Sequence, residues 1–518
     1  ITLLKAKVGI LAVSCLSITA LFACVDKDAR SDLNPNLPTD QAQNGDFGDQ
    51  GGGSEQGLNF PVFDDGVLAF PGAEGYGKNV TGARAGEGRE IYHVTNLNDA
   101  GPGSFRDAVS KPWRIIVFDV SGVIKLSSNP IVLKSNQTIL GHTAPGDGIV
   151  LYNGRVSASG AQNLIVRYLR IRMGAAYPSE LDACGIANGA NMIFDHCSMT
   201  WGKDECFSIN PDGKGTAPKN ITIQNSIIGQ GLQNHSCGGL MQTDISNGCT
   251  IFRNLYIDNK TRNPKVKGLN QFVNNVVYNW GSGAAYNMSG DSQGKSETTI
   301  ENNYFIVGPC HNWQNVAQPD GSIKTEYVPM NPARPFTGGN GNFNTYCKGN
   351  YYDNNKDGAL DGVEITETNW SQYCSGSPVF LEARSDLHPI IRSQKSAQEA
   401  YEWVVEKVGA YLPVRDEVDK YLMDELISLG RKGTIIQDER KAEQFPLGGP
   451  GTINAAQKPL DSDNDGMPDA FEDAWGLDKY DSTDAVKEAK NGYLNIENYA
   501  LSLEYPDEYE YELNKNKQ

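Results

Sequence analysis

The chain has 518 residues and a formal net charge of −18. This charge excludes a general nucleic-acid-binding protein, because no domain-wide cationic surface is available to meet phosphates. An acidic polymer would also be repelled unless a local group of cations or bound metal ions reversed the field.

The first residues have the layout of an export signal. Lys5 and Lys7 precede an apolar run over residues 8–22 that ends at Cys24. The run is too short for a comfortable membrane span, so we predict a signal peptide over residues 1–24. The residues before Cys24 resemble a bacterial lipobox, which would make Cys24 a lipidated N-terminus; an ordinary cleaved signal is the alternative. We therefore expect an exported protein, either an outer-membrane or cell-surface lipoprotein or a secreted protein, whose one contact with the membrane is this anchor.

Residues 25–66 are rich in Asp, Asn, Gln and Gly, which is typical of a flexible linker. Eight cysteines follow the signal, namely Cys184, Cys197, Cys206, Cys237, Cys249, Cys310, Cys347 and Cys374. None has the spacing of a zinc site, so we expect disulfides or buried thiols.

Short strand-like runs dominate residues 67–395. Runs beginning at Asn163, Asn191, Asn220 and Cys249 recur about every 29 residues, which is a solenoid period. Their apolar side chains alternate, as a strand with one buried face requires. A β-sandwich would need turns every ~8–12 residues. We therefore predict an all-β protein with a parallel β-helix, and a ladder of stacked amides that contains Asn225, Asn254, Asn275 and Asn303.

Residues 396–445 are predicted to form helices that pack on the β-helix. Ala397, Ala400, Val404 and Val408 recur at helical spacing, and Pro413 breaks the pattern. A Gly- and Pro-rich stretch then leads into a small C-terminal module, which gives a last region of 446–518.

Two loops match the calcium-binding pattern of an EF-hand. The C-terminal loop offers Asp461, Asp463, Asp465, Asp469 and Glu472 as ligands. The other offers Asp353, Asn355, Asp357 and Glu364 with the carbonyl of Ala359, and it follows a predicted coil without a preceding helix. Short carboxylates, a Gly at position 6 and a final Glu are what Ca²⁺ needs in such a loop. A solvated acidic linker and an Asn/Asp-rich turn are the respective alternatives.

A basic cluster at residues 261–268 stands out in this acidic chain. Arg262 is followed by Pro264, and Lys265 and Lys267 come next. The spacing resembles the arginine-proline signature of family 1 polysaccharide lyases of the pectate lyase C type. The motifs at residues 70–77, 94–99, 103–106 and 116–119 are similar to the N-terminal coils of that family.

The resemblance implies a right-handed parallel β-helix and calcium-dependent β-elimination of polygalacturonate. It also implies that Arg262 is the base, that Lys265, Lys267 and His235 bind substrate carboxylates, and that Glu180, Asp182, Asp204 and Ser208 surround the calcium. Ser208 and His235 depart from the family pattern, in which a carboxylate and a lysine stand at these positions.

The chemistry fits this implication. The C5 proton of a uronate is acidic because it lies next to the C6 carboxylate, so an enzyme must neutralise that carboxylate and supply a base. Arginine is an awkward base because its pKa exceeds ~12.

We therefore expect an extracytoplasmic, monomeric pectate lyase that acts on pectin in a pathway of pectin degradation and uses Ca²⁺. The alternatives are a lyase for methylated pectin or another uronan, and a non-catalytic surface glycan-binding protein. A glycoside hydrolase would need paired catalytic carboxylates that face one bond.

Overall fold

The computed structural model describes residues 57–60, 66–127, 129–281, 285–288, 295–331 and 334–515. All of them belong to one compact unit, residues 52–518. The predicted signal peptide and Cys24 lie outside the described residues, as does most of the predicted linker.

Three long sheets form the body. Sheet A consists of β1 (Glu90–Val94), β2 (Arg114–Phe118), β5 (Gln137–Leu140), β8 (Gln162–Arg167), β11 (Ala190–Asp195), β14 (Lys219–Gln224), β17 (Cys249–Phe252), β20 (Leu269–Val273), β23 (Ser296–Glu301), β28 (Phe343–Lys348) and β31 (Val379–Phe380). Sheet B consists of β3 (Gly122–Lys125), β6 (Ile149–Tyr152), β9 (Arg170–Arg172), β12 (Ser198–Thr200), β15 (Ile227–Gly229), β18 (Leu255–Ile257), β21 (Val276–Tyr278), β24 (Tyr304–Ile306), β29 (Asn350–Asp353) and β30 (Val363–Ile365). Sheet C consists of β4 (Ile131–Val132), β7 (Val156–Ser157), β10 (Cys184–Ile186), β13 (Phe207–Ile209), β16 (Leu240–Gln242), β19 (Lys265–Lys267), β22 (Tyr286–Met288) and β27 (Phe336–Gly338).

Each central coil gives one strand to each sheet, so neighbours in a sheet are one coil apart in sequence. Strand β11, for example, pairs in parallel with β8 on one side and β14 on the other. This order is that of a parallel β-helix, which confirms the predicted fold. The antiparallel exceptions among the described strands are β29 with β30 and a hairpin of β25 (His311–Ala317) and β26 (Ile323–Pro329).

The strand register corrects the predicted amide ladder. Gln224 is level with Phe252, so Asn225 lies level with Arg253 and Ser226 with Asn254. The ladder runs instead through Asn254, Asn275, Asn303 and Asn350: each backbone N–H of Asn254, Asn275 and Asn303 donates to the side-chain oxygen of the next member, at 2.9, 2.7 and 3.2 Å. Asn225 has a φ of +55° and occupies the corner before the ladder, where Asn tolerates the left-handed region.

The interior of the coils is apolar, as the alternation required. Phe194, Ile223, Ile251 and Phe272 are fully buried between the sheets. All eight cysteines described are free, buried thiols, so of the two expectations for them the buried thiols are observed.

Seven α-helices are described: α1 (Phe105–Ala108), α2 (Trp370–Tyr373), α3 (Ala397–Lys407), α4 (Glu417–Leu426), α5 (Asp469–Trp475), α6 (Asn495–Glu504) and α7 (Pro506–Lys515). Two 3-10 turns, Gly75–Gly77 and Gly141–Thr143, complete the secondary structure. Ser396 caps α3 with a full capping box, and Pro413 lies between α3 and α4. No described helix is long and apolar enough to cross a membrane.

Both helical groups cover outer faces of the β-helix. Helices α3 and α4 bury Val404 and Leu422 against side chains of sheet B such as Ile257. Helices α5 and α6 cover sheet A near the first coils, where Phe471 lies in one cluster with Val117. Leu58, within the predicted linker, is buried in this same cluster, and its N–H donates to the side chain of Asn498 at 3.3 Å.

A candidate active-site groove

Four successive coils place polar side chains in the connections that lead from sheet B to sheet C. Asp182 precedes β10, Asp204 and Glu205 precede β13, His235 precedes β16, and Arg262 precedes β19. Because these strands are hydrogen-bonded neighbours in sheet C, residues far apart in sequence become adjacent along one edge. The connections are on the surface, where side chains can carry function on a rigid scaffold.

Three carboxylates form a compact acidic cluster. Asp182, Asp204 and Glu205 each offer an oxygen, and these atoms lie within 4.8 Å of one another. The N–H of Glu205 also donates to Asp182 at 3.2 Å. Burial, a hydrogen bond with Asp182 and repulsion by the other two carboxylates raise the pKa of Glu205 to about 9. The cluster therefore has more negative charge than its protein neighbours neutralise.

Arg262 faces this cluster from the coil after His235. Its guanidinium forms an ion pair with Glu205, and the two side chains are 28% and 3% exposed. Burial alone would lower the pKa of Arg262, but Cys237 and Glu205 outweigh it, and the net pKa is raised. Arg262 has a φ of +55°, a conformation that bulky residues adopt only when the surroundings fix it.

Lys265 and Lys267 lie on strand β19 of sheet C, whereas the acidic residues lie in the connections that precede the strands of this sheet. Val266 between them is fully buried, so the two lysines share the outward face, where each is partly exposed. Lys265 is level with Leu240, and Lys267 with Gln242. The two lysines predicted to bind substrate therefore lie on the outer face of the strand that follows Arg262.

The other predicted ligands have different partners. Glu180 is 74% exposed and pairs with Lys203 at 3.1 Å. Ser208 is buried, and its hydroxyl accepts the N–H of Leu240 at 3.1 Å. His235 Nε2 lies 2.8 Å from Asp204 Oδ1, so it contacts a carboxylate of the cluster directly.

A cleft of about 450 Å³ opens beside the cluster. Glu180, Lys203, His235 and Gln437 are among the side chains that line it. The β25–β26 hairpin lies at the rim of this cleft. Gln233, which lines the cleft, donates a hydrogen bond to Asn312 of the hairpin at 2.5 Å. An extended polar ligand in this cleft would contact Lys203 and His235.

The two predicted calcium loops differ in the structure. In the 353–364 loop, Asn355 donates to Asp361 at 2.8 Å, Glu364 is exposed on β30 opposite Tyr351, and Arg431 donates to the carbonyl of Asp357. No group of three described carboxylates forms there. At the C-terminal loop, by contrast, Asp461, Asp463 and Asp465 approach one another, and so do Asp465, Glu472 and Asp484.

Sequence reasoning missed Glu205 and Asp484. Glu205 stands directly after Asp204, and an extended segment normally points neighbouring side chains apart. The turn before β13 instead brings both carboxylates toward Asp182. Asp484 lies outside the 12-residue loop pattern, so spacing gives no signal for it.

A parallel β-helix with three carboxylates beside an arginine and two lysines is suited to an enzyme that binds an acidic polymer. The sequence model described as "Pectate lyase" matches residues 71–351. A protein of Aspergillus fumigatus named "Probable pectate lyase C" is 48% identical over 437 residues, which cover 84% of this chain and 94% of that protein. A protein of the same name in Aspergillus flavus is 47% identical and covers 86% of this chain and 96% of its own length. Among solved structures, the thermostable pectate lyase PL 47 is 14% identical, with a TM-score of 0.45 and coverage of 65% of this chain and 97% of that chain.

The chain therefore belongs to the pectate lyase family and is a polysaccharide lyase.

Proposed function

We propose that this pectate lyase cleaves α-1,4-linked polygalacturonate outside the cytoplasm, in a reaction that depends on calcium at the groove. The observation that carries the proposal is the ion pair of Arg262 with the acidic cluster of Asp182, Asp204 and Glu205, followed in the chain by the outward-facing Lys265 and Lys267 of β19. In a chain of net charge −18, these cations mark a place where a polyuronate can approach.

The acidic cluster fits a calcium ion. Ca²⁺ prefers carboxylate oxygens at ~2.3–2.6 Å, so ligand oxygens around one ion are at most ~5 Å apart. The three carboxylate oxygens meet this limit. We assign Asp182, Asp204 and Glu205 as ligands, and Glu180 as a residue that Lys203 holds at the rim. When bound, calcium supplies positive charge that acidifies the substrate's C5 proton.

The remaining steps belong to side chains. Lys265, Lys267 and His235 bind uronate carboxylates and fix the register of the polymer. In its uncharged form, Arg262 accepts the C5 proton. The C–H electrons form the C4–C5 double bond, the C4–O bond breaks, and the departing oxygen takes up a proton from water. Since Arg262 pairs with Glu205 and has a raised pKa, alkaline conditions favour its reaction as a base.

The test is the rise in ultraviolet absorbance of the 4,5-unsaturated product from polygalacturonate, with and without a calcium chelator. We expect activity that the chelator abolishes and added calcium restores. Equal activity on fully methylated pectin in chelator would instead assign a pectin lyase. Reducing ends without ultraviolet absorbance would assign a hydrolase. Binding without any product would leave a glycan-binding protein.

A further inference from the structure

A second carboxylate cluster lies far from the groove in sequence, in the C-terminal segment that covers sheet A. It consists of two overlapping groups that share Asp465: one holds Asp461 and Asp463 of the 461–472 loop, and the other holds Glu472 of α5 and Asp484 of the following connection. Asp465, Glu472 and Asp484 are only 3%, 0% and 4% exposed. Burial of several like charges together is unfavourable unless an opposite charge compensates them.

Most oxygens of these residues have no hydrogen-bond partner among the described protein atoms. Both oxygens of Asp463, one of Asp465, both of Glu472 and one of Asp484 are buried without a hydrogen bond. Two lysines lie near the cluster: Lys458 pairs with Asp461 and Asp119, and Lys487, which also acts electrostatically on Asp484, pairs with Asp481. Buried polar atoms are almost always satisfied in folded proteins, so these oxygens indicate an absent ligand.

A divalent cation that prefers oxygen ligands fits this set of unpaired oxygens. The unpaired oxygens number six, and within each group the ligand atoms lie within 4.8 Å of one another, as around a single Ca²⁺. Desolvation and mutual repulsion raise the pKa of Glu472 to about 8 and that of Asp465 to about 7. Both effects would be relieved by a cation at the centre of the cluster.

We propose that Asp463, Asp465, Glu472 and Asp484, with Asp461 at the edge, bind a structural calcium ion that fastens the C-terminal segment to the first coils of the β-helix. The ligand set differs from the loop pattern. Asp469, at the ninth loop position, accepts the N–H and hydroxyl of Ser462 at 2.7 and 2.8 Å, so it shapes the turn. Asp484 takes its place from outside the loop.

The position of the site explains how the ion would stabilise the fold. Gly466, inside the loop, packs so closely that an added Cβ would lie 3.3 Å from Val117 and 3.4 Å from Ile91. Phe471 and Trp475, on the helix that carries Glu472, are buried in the cluster that covers the outer face of sheet A. Holding the loop, α5 and Asp484 together therefore holds this apolar cover in place.

The experiment uses the full chain with the groove ligands changed, D182N/D204N, so that calcium binding at the groove is removed. Isothermal titration with CaCl₂ after chelation should show one remaining calcium per chain. Adding D484N should weaken its affinity by at least about tenfold, since calcium affinity follows the number of charged ligands. D469N removes the same charge from the same loop and is the matched control, for which we expect a change below about threefold.

Thermal unfolding gives the second readout. Calcium should raise the unfolding midpoint of D182N/D204N by several degrees, since a ligand of the native state stabilises it, and D484N should abolish this shift. If D484N does not fold, the calcium site is probed with terbium, whose emission is excited through a nearby tryptophan. The emission is measured in D182N/D204N and in the same protein with W475F. Loss of emission with W475F supports the site, and retained emission contradicts it. The proposal is overturned if D182N/D204N retains no calcium, or if D484N and D469N bind it equally. Both outcomes are independent of activity at the groove.

Discussion

The two carboxylate clusters differ in what surrounds them. In the groove, Arg262 pairs with Glu205, His235 pairs with Asp204, and an open cleft adjoins them. In the C-terminal cluster, no described cation pairs with Asp465 or Glu472, and both are buried. An open cluster with nearby cations can exchange metal and admit a charged substrate, whereas a closed one can hold a metal permanently. The surroundings, and not the carboxylates, therefore separate the proposed site for chemistry from the proposed site for stability.

The largest expected effect tests the cation side of the groove. Arg262→Lys keeps the charge but loses the planar fork that pairs with Glu205. We expect kcat on polygalacturonate to fall at least ~100-fold, the usual contribution of a general base. Arg384→Lys is the matched control, because Arg384 also pairs with a buried glutamate and is 29% exposed against 28% for Arg262. A kcat close to wild type in Arg262→Lys would remove Arg262 from the role of base.

The acidic side of the groove should give a smaller and reversible effect. Asp182→Asn removes one charged ligand, and we expect the calcium concentration for half-maximal activity to rise on the order of tenfold. Excess calcium should restore much of the rate. Glu180→Gln, on the same coil, should change the calcium requirement far less because Glu180 pairs with Lys203. Equal requirements in both variants would show that the cluster is wrongly assigned.

A third group of acids, Asp258 and Glu425, extends the comparison. Here we expect a proton to stabilise the buried carboxylates, in the way that a cation is expected to stabilise the other two clusters. Asp258 and Glu425 are buried against each other where α4 meets sheet B, and burial raises the pKa of Asp258 from 3.8 to about 6 and that of Glu425 well above its ordinary value. Since the folded pKa values are raised, stability is full below the unfolded pKa values and is lost as pH rises through about 6.

Glu425→Gln mimics the protonated acid. At neutral pH it should be more stable than wild type by on the order of 1–3 kcal/mol, because the wild-type Glu425 must take up a proton when the protein folds. Urea unfolding from pH 4 to pH 8 measures this, with Glu417→Gln on the exposed side of α4 as control. If the free energy of unfolding of all three proteins changed with pH in the same way, the hypothesis that a proton stabilises Asp258 and Glu425 would be contradicted.

The smallest expected effect concerns His235. Its contact with Asp204 is 42% and 41% exposed, and such pairs contribute little. We expect His235→Asn to raise KM about two- to fivefold with kcat nearly unchanged. A large fall in kcat would move His235 from binding into the chemical step.

The sequence by itself determined the coil. Alternating apolar residues at a period of about 29 specify a strand with one buried face, and stacking is the way such strands bury it. The arginine-proline motif likewise points to Arg262, because Arg262 and Pro264 lie within one short segment. Both signals lie within short segments of the chain, so they can be recognised in the sequence without the tertiary structure.

The tertiary structure decided everything that depends on registration between coils. A shift of one residue moved Asn225 out of the amide ladder and put Asn350 into it. The groove cluster takes Glu205 in place of Glu180 and Ser208, because the connection before β13 turns neighbouring side chains to one side. Asp484 joins Glu472 only because the segment folds back over α5. Distances across coils follow from packing of the whole chain, and no spacing within one segment contains them.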